Sequence, residues 1–163
     1  MSAVISPDGM YRYWLSRGAS TSARTVVFIG VNPSTADATE DDQTIRKMCG
    51  FARRWQFDRV GVVNLFALRS SNVYTLGRVE DPVGNPENDQ HIRAAFAEAA
   101  MVVPCWGRLD KLPLRLRYRA GEVCDLLFCA RSRPVRLCLG LTKGGSPKHP
   151  VRVSYATRLV AWP

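Results

Sequence analysis

The run Thr25-Val-Val-Phe-Ile-Gly30, followed at once by Val31-Asn32-Pro33, constrains this chain more than any other stretch. Val26, Val27, Phe28 and Ile29 form an uninterrupted apolar segment, partly β-branched. That pattern predicts a strand over 25–31 buried on both faces rather than one face of an amphipathic helix. Gly30 permits a close turn, and Pro33 fixes its own φ and withdraws a backbone donor. In an open α/β sheet, ligands bind beyond the carboxyl ends of the strands. Asn32 is therefore displayed where chemistry is expected, although Asn-Pro is also an ordinary turn dipeptide.

The rest of the chain repeats the alternation. Tyr11–Leu15 reads as a short edge strand, Val60–Leu65 as a second core strand, Met101–Trp106 as a third and Val135–Leu139 as a fourth. Asp42 offers an N-cap for a helix over 43–55, with Ile45, Met48, Cys49 and Ala52 on one face. Asn88 or Asp89 caps a second helix to Ala100, and a basic helix carrying Arg115, Arg117 and Arg119 spans 112–130. Residues 69–88 are too long for a simple connection and read as a functional or covering loop. Strand–helix alternation implies parallel pairing with right-handed crossovers. The expectation is a three-layer α/β/α sandwich around a central, mostly parallel four-stranded sheet, in a single domain over 1–163.

Composition narrows the class. With 46% hydrophobic and 23% charged residues, the chain has the balance of a soluble globular protein, and no apolar run reaches membrane-spanning length. The N-terminus lacks a basic region followed by an apolar core, so a cytoplasmic location is expected. Cys49, Cys105, Cys124, Cys129 and Cys138 contain no CxxC pair, which argues against a metal or iron–sulfur site. No cofactor is implied. Residues 1–103 carry 11 Lys/Arg and 11 Asp/Glu, whereas 104–163 carry 12 against 3, so the whole net charge of +9 lies in the C-terminal part. Such asymmetry points to a polyanionic partner, with nucleic acid foremost, or else to a solvated basic face.

The four expected strand ends present Asn32 with Pro33, Asn64 with Phe66, Trp106 with Gly107, and the loop Thr142–Pro150 with His149. Lys143, Gly144 and Gly145 do not complete a phosphate-binding GxxxxGK[ST] motif, so nucleotide hydrolysis is poorly supported. His91 reads as a cap or loop anchor, and Asp42 is kept as a minor functional candidate.

The order of these motifs resembles the uracil-DNA glycosylase superfamily, through an uncharacterised bacterial and phage family. Gly30-Val31-Asn32-Pro33 is similar to the Gly-Ile-Asn-Pro motif of the mismatch-specific branch, in which the Asn positions the attacking water and the turn holds the base. Val63-Asn64-Leu65-Phe66 resembles the strand end whose Asn reads a pyrimidine edge, and His149-Pro150 the start of the His-Pro-Ser-Pro motif that grips the phosphate backbone. The resemblance spans residues 25–155. It implies Asn32 and His149 as catalytic residues and Gly30, Val31, Pro33, Ser34, Asn64 and Phe66 around the base, with Phe66 or Trp106 stacking on it. It places Lys143, Gly144, Ser146, Lys148, Pro150 and Arg152 on the DNA backbone. Ser34 in place of Gly, and Val151-Arg152 in place of Ser-Pro, depart from the pattern and argue for a larger or modified base. The implied activity is that of a monomeric DNA glycosylase that flips a modified or damaged base, such as glucosylated hydroxymethylcytosine, and leaves an abasic site, in repair or antiviral defence. The alternatives are a nucleic-acid-binding module that kept the fold without the activity, and an enzyme of free nucleotides.

Overall fold

The computed structural model describes residues 1–18, 24–34 and 36–162. Its centre is the strand the sequence announces most clearly, β3 (Thr25–Gly30), buried at every position. β3 pairs in parallel with β4 (Arg59–Asn64) on one side and β5 (Met101–Pro104) on the other, and β5 pairs in parallel with β6 (Val135–Cys138). All four expected core strands thus lie side by side and point the same way. Met101–Pro104 ends two residues before the expected Trp106, with the Cys105 N–H still donating to the Ile29 carbonyl at 2.9 Å.

The sheet is larger than expected and mixed, with seven strands among the described residues. β1 (Ser2–Ile5) and β2 (Arg12–Gly18) add antiparallel strands beside β4, and β7 (Val160–Ala161) adds one beside β6. The Tyr11–Leu15 segment is consequently not an edge: it belongs to a seven-residue strand that Ser2–Ile5 covers.

Alternation along β3 sends side chains to two separate cores. Val26 and Phe28 pack with Ile45, Met48 and Phe51 of α1 (Gln43–Arg54), whereas Val27 and Ile29 pack with Ile92 and Phe96 of α2 (Glu87–Glu98). Each such apolar side chain, once removed from water, is worth roughly 1.5–3 kcal/mol before entropy is charged. Both faces of the sheet are therefore covered, as parallel strands require. α1 begins at Asp42, whose side chain accepts from the Ile45 N–H at 2.8 Å.

Two helix expectations are corrected. α2 starts at Glu87 after Pro86 with no side-chain cap; Asn88 and Asp89 turn inward instead. The basic helix is two consecutive pieces, α3 (Leu114–Arg117) and α4 (Arg119–Phe128), joined at Tyr118, whose backbone is itself helical. Its arginines all bond within the fold. Arg115 donates to the Gly77 carbonyl at 3.0 Å, Arg117 to the Leu112 carbonyl at 2.9 Å, and Arg119 is buried. No helix among the described residues is long and apolar enough to cross a membrane.

Candidate functional site

Beyond the carboxyl ends of β3 and β4 lies a cavity of about 430 Å³, within the range of roughly 300–1,000 Å³ usual for small-molecule sites. Gly30, Val31, Asn32, Ser34, Asn64 and His149 all line it, brought together from three separate parts of the chain. Parallel register sets Gly30 opposite Asn64, and the Leu65 N–H donates to the Gly30 carbonyl at 3.0 Å. Gly30 is required by proximity. A Cβ there would sit 2.6 Å from Asn64 Oδ1, well inside contact distance.

Asn32 is oriented by its own amide. Its Nδ2 donates to the Ser70 carbonyl at 2.7 Å and to the Pro33 carbonyl at 3.0 Å. Both partners are acceptors only, so the NH2 group must face them and Oδ1 faces away. That oxygen accepts no hydrogen bond among the described residues and is left to accept from a water or a ligand. The Ser70 N–H in turn donates to the Pro33 carbonyl at 2.8 Å, so the Asn-Pro turn and the segment after β4 are clamped in both directions.

Asn64 is 4% exposed, and its Nδ2 has no hydrogen-bond partner among the described residues. A buried donor without a partner costs about 1–3 kcal/mol, a deficit that a bound acceptor would remove. The strand end that displays it is held from behind. Asn88 Nδ2 donates to the carbonyls of Asn64 and Leu65 at 3.3 Å each, and Arg119 Nε donates to Leu65 at 2.9 Å. Arg119 is itself fixed by ion pairs with Asp89 and Glu122.

His149 caps the 3₁₀ turn Pro150–Arg152, its Nδ1 accepting from the Val151 N–H at 3.4 Å. An accepting Nδ1 makes Nε2 the protonated nitrogen of the neutral ring. Burial pushes the imidazole pKa below its usual value; Asp42 acts in the opposite sense and Arg152 adds to the lowering. Gly107, at φ 73°, passes so close that a Cβ would lie 3.3 Å from His149 Cβ.

His149 and Lys111 also border a second, adjoining cavity of about 790 Å³, lined by Trp106, Lys148 and Arg152. Lys111, Lys148 and Arg152 are exposed and form no ion pair among the described residues, so this rim carries the free positive charge of the region.

Three assignments are corrected, those of Phe66, Pro33 and Pro150. Phe66 is fully buried in the core with Leu65 and Ile92 and lines neither cavity, so it cannot stack on a ligand there. Pro33 is buried and contributes its carbonyl to the clamp rather than a surface to the cavity. Pro150 is likewise buried, as the first residue of its turn. Lys143, Gly144 and Ser146 lie in a turn closed by the Thr142 N–H donating to the Ser146 carbonyl at 2.8 Å, outside both cavities, with Lys143 and Gly144 exposed. His91 stacks on Tyr13, ring centres 5.4 Å apart, away from the site; it anchors α2 to β2 and caps nothing.

Sequence reasoning missed Arg12, Lys111 and the stretch Ser70–Tyr74, all of which line the first cavity. Tyr74 stands at its edge, 55% exposed. The length of the 69–88 loop was the only signal for it. Asp42, a minor candidate from the sequence, lines the same cavity.

No curated protein and no solved structure matches this chain. One family model does, over residues 12–151, from the start of β2 through His149. The chain therefore belongs to the family described as a protein of unknown function, DUF1643.

Proposed function

We propose that this protein is a DNA glycosylase that hydrolyses the N-glycosidic bond of a flipped base, modified or damaged, and leaves an abasic site. The observation that carries the reading is the convergence of Asn32, Asn64 and His149 on one cavity at the carboxyl edge of the parallel strands. A base reaches such a pocket only by leaving the stack. Asn64 Nδ2, buried and unpartnered, suits an acceptor on the base edge. Asn32 Oδ1, pinned outward, would hold a water towards C1′; an amide is a weak base, but positioning is most of what a reactive oxocarbenium-like centre requires. The Nε2–H of His149 would donate to the departing base. The C1′–N bond breaks with its electron pair going to the base, the water oxygen bonds C1′, and the water's proton ends on the base. The exposed cations at the second cavity would hold phosphates, and a defence or repair role follows from the substrate.

One observation favours a second reading. The two hydrogen bonds of Asn32 also anchor the turn, which a non-catalytic nucleic-acid-binding module would need equally. An abasic-site assay separates the two, using duplexes carrying uracil, mismatched thymine, hydroxymethylcytosine or glucosylated hydroxymethylcytosine, with alkaline cleavage. The expected result is strand breaks on one substrate, lost in Asn32→Ala while DNA affinity stays within a few-fold. Salt-sensitive binding with no breaks on any duplex supports the module.

A further inference from the structure

Arg12 opens β2, outside the segments that carry Asn32, Asn64 and His149, yet it lines the same cavity. It is 2% exposed. Of its three guanidinium nitrogens only Nη1 has a partner among the described residues, the Ala36 carbonyl at 2.6 Å; Nε is shielded from solvent and bonds to nothing. No carboxylate among the described residues lies within ion-pair distance of it. The nearby charges are Asp42 and Asp37 on one side of the balance and Arg69 and Arg17 on the other.

A buried, unpaired cation is among the most expensive arrangements a fold can keep, and it becomes favourable when negative charge arrives beside it. Burial lowers the Arg12 pKa to about 10, which still leaves the group charged at neutral pH. The neighbouring unpartnered group, Asn64 Nδ2, is a donor too. The two shielded, unsatisfied polar atoms of the cavity, Arg12 Nε and Asn64 Nδ2, are thus both donors, set against the accepting Oδ1 of Asn32 and the carboxylate of Asp42, which suits a ligand that brings an anionic, acceptor-bearing edge to the donors.

We propose that Arg12 is the receptor for the negative charge of the departing base, holding the anion of an oxo-substituted heterocycle in the cavity. This rests on the glycosylase reading and adds to it a charged group from an antiparallel strand. When the glycosidic electron pair moves to the base, the charge spreads to its carbonyl oxygen. A fixed guanidinium in a water-poor site stabilises that charge without reorganising.

The test uses free 5-fluorouracil, a base that ionises more readily than uracil, titrated calorimetrically into the whole protein from neutral to mildly alkaline pH. Wild type binds the ionised probe about ten- to hundredfold more tightly than the neutral one, as hydrogen bonds to charged groups are the strong ones. Arg12→Gln loses that preference, Arg12→Lys keeps part of it, and Arg131→Gln, exposed and outside both cavities, keeps all of it, with circular dichroism and the thermal midpoint reporting the fold of each. Equal affinity of wild type for both forms overturns the proposal whatever the variants do, and so does an undiminished preference in Arg12→Gln. Base release from DNA is measured separately. A preference that depends on Arg12 without any base release removes the glycosylase and leaves an anion receptor; base release without the preference removes the role of Arg12 alone.

Discussion

Replacing Gly30 with alanine tests how closely the two strand ends cooperate. The added Cβ falls 2.6 Å from Asn64 Oδ1 and 3.8 Å from Asn64 Cγ, so the clash is with the amide oxygen alone. Restoring ordinary contact requires that oxygen to move by about 0.8 Å, taking 3.4 Å as the near edge of normal packing. The backbone of Asn64 cannot yield, since its carbonyl is held by Asn88 and the next by Arg119. The side chain must rotate instead, carrying Nδ2 with it. Overpacking of this kind costs about 1–3 kcal/mol of stability. A displacement near 1 Å at a reacting centre lowers rate by about a hundredfold. Chemical denaturation and single-turnover base release on one duplex measure the two effects. In an Asn64→Ala background the space is vacated, and Gly30→Ala there costs little stability, so the double-mutant cycle shows a coupling of roughly 0.5–3 kcal/mol. Additive stability losses, or base release by Gly30→Ala at the wild-type rate, would refute the steric argument.

The pH profile follows from His149. Its pKa is lowered in the folded protein, so the stability it contributes is complete above the usual value of 6.5 and is lost as pH falls through the lower folded value. Base release should therefore be level from about neutral pH upward, in step with the unprotonated ring; a rate that climbs steadily on acidification would show that the imidazolium is the working form. The salt dependence separates free cations from structural ones. Changing Lys148 or Arg152 to Gln should flatten the slope of log affinity against log salt by roughly 0.9 per duplex phosphate contact. Arg115→Gln should leave it unchanged, because that side chain is bonded to Gly77 and Val79. Equal slopes for all three variants would mean that the basic rim touches no phosphate.

The parallel strands were legible because each is an apolar, partly β-branched run bounded by a turn residue. β7 was not, being two residues long, and neither was β1, an antiparallel strand exposed at alternate positions that lies outside the strand–helix alternation that located the others. Asn32, Asn64 and His149 were legible because the rule that ligands bind at carboxyl ends places them together before any coordinates exist. Phe66 failed for a local reason. After Asn64 the chain leaves the sheet, so Leu65, Phe66 and Ala67 are all buried and strict alternation no longer says which side chain faces out. Arg12 was hidden because an arginine in a short aromatic segment reads as a solvated end. Its burial comes from Ser2–Ile5 and the Ala36 region, contacts that no spacing encodes. The charge asymmetry was real as arithmetic and largely a surface property: of the helix arginines only Arg119 is buried, while Arg115 and Arg117 stay exposed and bond to backbone carbonyls.

The reciprocal bonds between the Asn32–Pro33 turn and Ser70 join two things usually treated apart, the aim of a catalytic amide and the closure of a loop. Any excursion that lifts Ser70 away releases the Nδ2 of Asn32 and sets its side chain free to turn. The competent amide and the closed loop are then one equilibrium, biased together or lost together. In such an arrangement the proposed chemistry would be available only around a guest small enough, or bent far enough, to let the loop shut.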